Sequence, residues 1–240
     1  YNTGSNNTAI GYLSLDANTT ASNNTAVGDG ALGANTTGTA NTAMGSLASD
    51  AITTGDNNVS VGYLSLSAGT TAERNTAVGS NSLRSLTTGP NNTGVGFNAL
   101  YSTLAGNHNT AMGSCALCGN VGADRNVAIG SQALIVMTGT SDSNNTAVGY
   151  SSGNDVSDGI CNTFVGAESG DNTTTGDNNT TIGYQARSSS ATVDNEITLG
   201  NGNNDNLRCA DTSISSLSDL RDKTNIEDIP HGLDFINALR

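Results

Sequence analysis

NNTAVGDGAL, residues 23–32, holds the phrase that decides the fold. Its centre, N-T-A-V-G, returns along the chain with glycines at Gly11, Gly28, Gly45, Gly62, Gly79, Gly96, Gly113, Gly130, Gly149, Gly166, Gly183 and Gly200. Successive glycines are 17 residues apart, except for a gap of 19 between Gly130 and Gly149. A fixed period of this length, held over twelve units, is the signature of a stacked repeat architecture.

Each column of the repeat has its own chemistry. The residue before the glycine is always apolar, as in Ile10, Val27, Met44 and Ile129, and the one before that is usually alanine. Threonine dominates three places before the glycine. Asparagine stands four places before it in eleven of twelve units, including Asn24, Asn41, Asn58 and Asn75, and Glu196 breaks the run. We take these asparagines, with Gly28, Gly45, Gly62 and Gly79, as residues that build the repeat. A small Ala or Ser follows three places after the glycine, then in seven units a leucine, and a Thr-Gly turn such as Thr37-Gly38 leads back.

Period-two alternation in T-A-V-G predicts a short strand, with Thr and Val on one face and Ala and Gly on the other. Asn and Gly suit left-handed corners. The expected unit is therefore one coil of a β-solenoid or β-roll, with two short strands and two corners. One coil buries too little to stand alone, so stacking must stabilise it. Twelve coils at ~4.8 Å spacing predict a rod roughly 55–60 Å long. The small-residue column suggests close lateral approach of other chains; a single solenoid with that face packed internally is the second arrangement. Thr3-Gly4 occupies the turn of the first unit, so the array is expected to extend upstream of Tyr1.

Composition agrees with an array. Hydrophobic residues make up 35%, aromatics 4% and charged residues only 12%, with 30 glycines. That low charge separates the chain from ordinary disordered sequences. A net charge of −13 with eight Lys and Arg argues against a nucleic-acid partner. No apolar run approaches the ~20 residues of a membrane span, and no membrane insertion is expected.

NNTAVGDGAL and NTAMGSCAL resemble the head repeats of trimeric autotransporter adhesins and the collar and shaft repeats of viral tail fibres. The resemblance covers residues 1–200 and implies an all-β, left-handed parallel β-roll in which three chains share an axis. The adhesin unit is shorter than 17 residues, so strand register transfers only approximately.

Beyond Gly200 the phrase stops. Residues 201–217 read as a polar transition, and residues 218–240 as the start of a further domain. Ile229, Leu233, Ile236 and Leu239 have helical spacing, with Pro230 suited to a first turn and Asp228 to a cap. SDLRDK, residues 218–223, with Asn225-Ile226 and Gly232-Leu233-Asp234 after it, resembles the start of the peptidase S74-type intramolecular chaperone of phage fibres. That resemblance implies C-terminal trimerisation and self-cleavage between Leu217 and Ser218, with Ser218 as nucleophile and Lys223, the only lysine, as base. A lysine serves as a base only when its pKa is lowered by burial or a neighbouring cation. Arg221 would help in that respect; Asp219 and Asp222 would oppose it.

Other candidates read as structural. Cys115 and Cys118 form C-A-L-C without the second pair or histidines of a zinc set, and Cys161 and Cys209 stand apart. His108 and His231 have no visible catalytic partner. No metal or cofactor is expected. The threonine column raises an ice-binding solenoid as a minor alternative, although the second outward position is apolar. Acidic residues follow no evident column, which argues against calcium-binding repeats. N-N-T triplets fit a glycosylation sequon, but corner chemistry already explains them. The leading expectation is a homotrimeric tail-fibre shaft at a virion surface, presenting a host receptor- or glycan-binding surface. A cell-surface adhesin is the alternative, and a polysaccharide-degrading spike enzyme has no visible carboxylate pair.

Overall fold

The computed structural model describes residues 3–139, 142–206 and 208. The chain divides into two compact units, Tyr1–Asn203 and Asn204–Arg240. The first is a parallel β-solenoid. Twelve three-residue strands, from β1 (Thr8–Ile10) to β12 (Ile197–Leu199), form one sheet in strict sequence order. Each residue pairs with its equivalent one period on, so that Thr25 faces Thr42 and Ala26 faces Ala43. Eleven steps at ~4.8 Å make the sheet about 53 Å long. The 19-residue coil keeps this register, pairing Val127 with Thr146 and Ala128 with Ala147. Its extra residues are absorbed before the strand, at the corner where Asp124 bridges Asp142.

Each coil has one strand rather than the expected two. After the glycine the chain runs through successive turns, because alternate residues are left-handed. In the coil from Gly79, Asn81 has φ 57° and Leu83 has φ 52°. Such residues cannot continue a strand, yet the inter-coil ladder persists, as in Leu83 N–H to Ala99 O at 2.9 Å. A left-handed leucine costs roughly 1–2 kcal/mol. Full burial of its side chain contributes about 1.5–3 kcal/mol, which is enough to hold it there.

The core is the space between the strand and these turns. In the strands between the first and the last, the middle residue points inward: Ala26, Ala43, Ala77, Ala111, Ala128 and Ala147 are fully buried. Leu32, Leu66, Leu83, Leu100, Leu117 and Leu134 face them from the turns and are also fully buried. The small-residue face is thus packed internally in the single chain, as in the second arrangement expected from sequence. At two places the alanine and its leucine partner change together. Ser60 replaces it in β4 (Val59–Val61), and its hydroxyl meets that of Ser49, which occupies a leucine position, at 2.7 Å. In β10 (Thr163–Val165) the middle residue is Phe164, fully buried, and the leucine positions beside it are Gly153 and Gly170. A Cβ on Gly170 would lie 2.1 Å from the Phe164 ring, and one on Gly153 2.7 Å from it.

Candidate functional site

Two columns built from the repeat phrase form internal ladders. The side-chain oxygen of Asn24 accepts the Asn41 N–H at 2.9 Å, Asn41 does the same for Asn58 at 2.9 Å, and Asn58 for Asn75 at 3.0 Å. Each amide also donates to a corner carbonyl; that of Asn24 reaches Gly38 O at 2.8 Å and that of Asn75 reaches Gly89 O at 3.0 Å. The left-handed corner residue is the one before this asparagine, such as Asn23 at φ 62°. The column asparagine therefore satisfies buried backbone groups, which would be costly to leave unpaired. At the end of the ladder Glu196 still donates its N–H to Asn179, but its carboxylate turns to accept the Ser189 N–H at 2.7 Å and the Thr198 hydroxyl at 3.1 Å. These hydrogen bonds, led by Ser189, hold its pKa below the ordinary value.

The glycine column is fixed by contact. Gly28, Gly45, Gly62 and Gly79 have φ between 129° and 139°. A Cβ on Gly28 would lie 2.4 Å from the carbonyl oxygen of Gly45 in the next coil. Only glycine relieves both constraints.

One acidic column escaped the sequence reading. Asp56, Asp124, Asp177 and Asp194 occupy equivalent positions, and each accepts the backbone N–H of the residue 17 before it: Thr39, Asn107, Ile160 and Asp177. Some acids therefore do follow a column, and its role is to cap the backbone. The signal was present in the spacing, six places before the repeat glycine, but polar substitutes in other coils diluted it.

The remaining candidates are peripheral. Cys115 is left-handed and half-buried beside half-buried Cys118. Burial first, and then Cys115, pushes the Cys118 thiol up to about 11, which keeps it a thiol at neutral pH. Exposed Cys161 occupies a left-handed corner. His108, at another such corner, contacts the side chains of Asn107 and Asn91. Among the described residues no group of three or more His, Cys, Asp or Glu is placed to hold a metal, and no helix is long and apolar enough to cross a membrane. Ser218, Lys223, Cys209, His231 and the helix expected near Ile229–Leu239 lie outside the described residues.

What remains is the outer face of the sheet. There the threonine column runs beside the apolar one, and Ile10, Met44, Met112, Ile129, Ile182 and Leu199 of the latter are all exposed, Ile10 by 61%. Directly after the glycine, Tyr12, Tyr63, Phe97, Tyr150 and Tyr184 add exposed rings, Tyr12 by 75%. In the strands between the first and the last the alanines are hidden, and the Val, Ile and Met column faces outward. Comparison of the chain with protein-family models, curated proteins and solved structures gave no match.

Proposed function

We propose that this chain is the shaft of a homotrimeric, extracellular fibre, carried on a virion as a tail fibre or spike, and that it presents a receptor-binding surface. The outward apolar column carries the reading. Scattered exposed apolar residues are ordinary, but a contiguous stripe along a hydrophilic rod marks an interaction surface. Its period equals that of the coil, so an identical rod laid alongside matches it at every step. Closed cyclic symmetry then gives a finite assembly rather than an open one. The resemblance of the repeats to fibre and adhesin heads favours three copies.

The test is sedimentation of the chain at micromolar concentration. A mass three times that of one chain is expected, and the combined Met44→Asp, Met112→Asp and Ile129→Asp variant should sediment as a single chain with unchanged circular dichroism. A wild-type single chain would overturn the trimer.

The C-terminal reading is part of the same proposal. In a longer precursor Ser218 Oγ would attack the Leu217 carbonyl while Lys223 accepts its proton. The Leu217–Ser218 C–N bond breaks as that proton passes to the Ser218 amine, and water then hydrolyses the resulting ester, releasing the chaperone after the shaft has registered. Intact mass of that precursor should show a break before Ser218, lost in both Ser218→Ala and Lys223→Ala. An uncut wild-type precursor would remove the protease and favour the cell-surface adhesin.

A further inference from the structure

The columns described so far repeat because they build the coil. The column five places after each glycine does not: it reads Asp16, Gly33, Asp50, Ser67, Arg84, Tyr101, Cys118, Ile135, Asn154, Asp171. Its backbone still joins the ladder, as in Ala34 N–H to Asp50 O at 3.0 Å and Ala68 N–H to Arg84 O at 3.0 Å, so the fold does not dictate these side chains. Over three coil steps Asp50, Ser67, Arg84 and Tyr101 line an open groove of ≈ 540 Å³, completed by residues including Ser85 and Thr87.

The polar groups here are incompletely used. Arg84 lies over the Tyr101 ring, 5.6 Å from its centroid, and donates to its hydroxyl at 3.0 Å. Arg74, Arg125 and Arg187 each pair with a carboxylate, whereas Arg84 pairs with none among the described residues. Its planar fork is therefore held by an aromatic ring with N–H groups left to donate. Asp50 sits two coils away, about 10 Å along the rod. Asp50 lines the groove, and desolvation, partly offset by the backbone N–H groups of Asp50 and Ala51, raises its pKa. A desolvated carboxylate gains from a hydroxyl donor.

We propose that this groove binds a saccharide bearing a carboxylate, with the acid on Arg84 and ring hydroxyls toward Asp50 and the Ser67, Ser85 and Thr87 edge. The spacing explains the choice: an anion alone would satisfy Arg84 but be repelled by Asp50, and a neutral sugar would leave Arg84 unused. Bidentate carboxylate recognition is the strength of arginine. With a net charge of −13, general attraction of anions is unavailable, so binding must depend on this one guanidinium. The inference sharpens the receptor-presenting reading above, but it does not require the trimer.

The experiment titrates the whole chain, by calorimetry at ~0.15 M salt, with oligosaccharides ending in glucuronate, galacturonate or N-acetylneuraminate. Neutral counterparts ending in glucose or galactose serve as controls. At least one acidic probe should bind, its neutral counterpart tenfold or more weakly, and Arg84→Gln should lose at least tenfold while its thermal melt is unchanged. Tyr101→Phe should give a smaller loss. If none of the acidic probes binds the folded chain, or if Arg84→Gln binds as wild type does, the site is wrong. Sedimentation of the same samples keeps the two proposals apart: a trimer that ignores every sugar refutes the groove alone, and a single chain that binds refutes the trimer alone.

Discussion

The coils that place alanine against leucine and the coil that holds Phe164 solve one packing problem in opposite ways. In the first, a small strand residue such as Ala77 leaves room for Leu83, and the leucine is forced into a left-handed backbone at φ 52°. In the second, Phe164 fills the space from the strand side, and the left-handed positions are Gly153 at φ 59° and Gly170 at φ 67°. Volume is conserved across the cross-section, while backbone strain is relieved only where the turn residue is glycine. Between these two kinds of coil it is therefore the summed volume of strand and turn that is preserved, and the identity at either place is secondary.

The sharpest way to break this comparison is Phe164→Ala. The glycines opposite cannot fill the void, and the loss should be about 3–5 kcal/mol, read as early urea unfolding and faster amide exchange in the neighbouring coils. The triple variant Phe164→Ala, Gly153→Leu, Gly170→Leu converts the coil to the common solution and should recover most of that loss, short by roughly 1–2 kcal/mol for each leucine placed left-handed. A triple variant no better than Phe164→Ala alone would refute the volume rule.

The asparagine ladder offers a smaller, sharper test, because it runs unaltered through both kinds of coil. Asn92 N–H donates to Asn75 at 2.8 Å, and Asn179 N–H donates to Asn162 at 2.8 Å. Asn75→Ala and Asn162→Ala each orphan a buried backbone N–H. Each should cost about 2–3 kcal/mol, equal within ~0.5 kcal/mol by denaturant unfolding, if ladder and core act independently.

The smallest effect is expected at the ladder's end. The folded-state pKa of Glu196 is depressed, so its contribution is present above the ordinary carboxylate value of 4.5 and is lost as pH falls through the lower folded value. Amide exchange at Ser189 should therefore accelerate on acidification below that range. Glu196→Asn, which restores the column residue, should abolish the acid dependence.

The period alone gave the parallel order, the register and the stacking direction, because a unit that cannot bury its own surface must bury it on its neighbour. The structural roles of Gly28, Gly45, Gly62 and Gly79 were legible for a similar reason: nothing but glycine recurs there. Which face points inward was not. Alternation separates two faces but assigns neither to the core, and only the turn leucines opposite Ala26 and Ala43 decide that the alanines are inside. The missing second strand was hidden as well, since leucine ordinarily signals no left-handed backbone and is held there by inter-coil hydrogen bonds and, at positions such as Leu83, by burial. The pairing of Phe164 with Gly153 and Gly170 involves residues 11 before and six after it, and the sequence shows three unrelated departures from the pattern. The groove at Arg84 was equally invisible, because its residues lie one to three periods apart, and Asp50, Ser67, Arg84 and Tyr101 belong to a column without a rule. The sequence by itself determined the repeat and its ladders, since periodic chemistry is local and additive. The tertiary structure decided the inside, the outside and the site, since those depend on which side chains meet across coils.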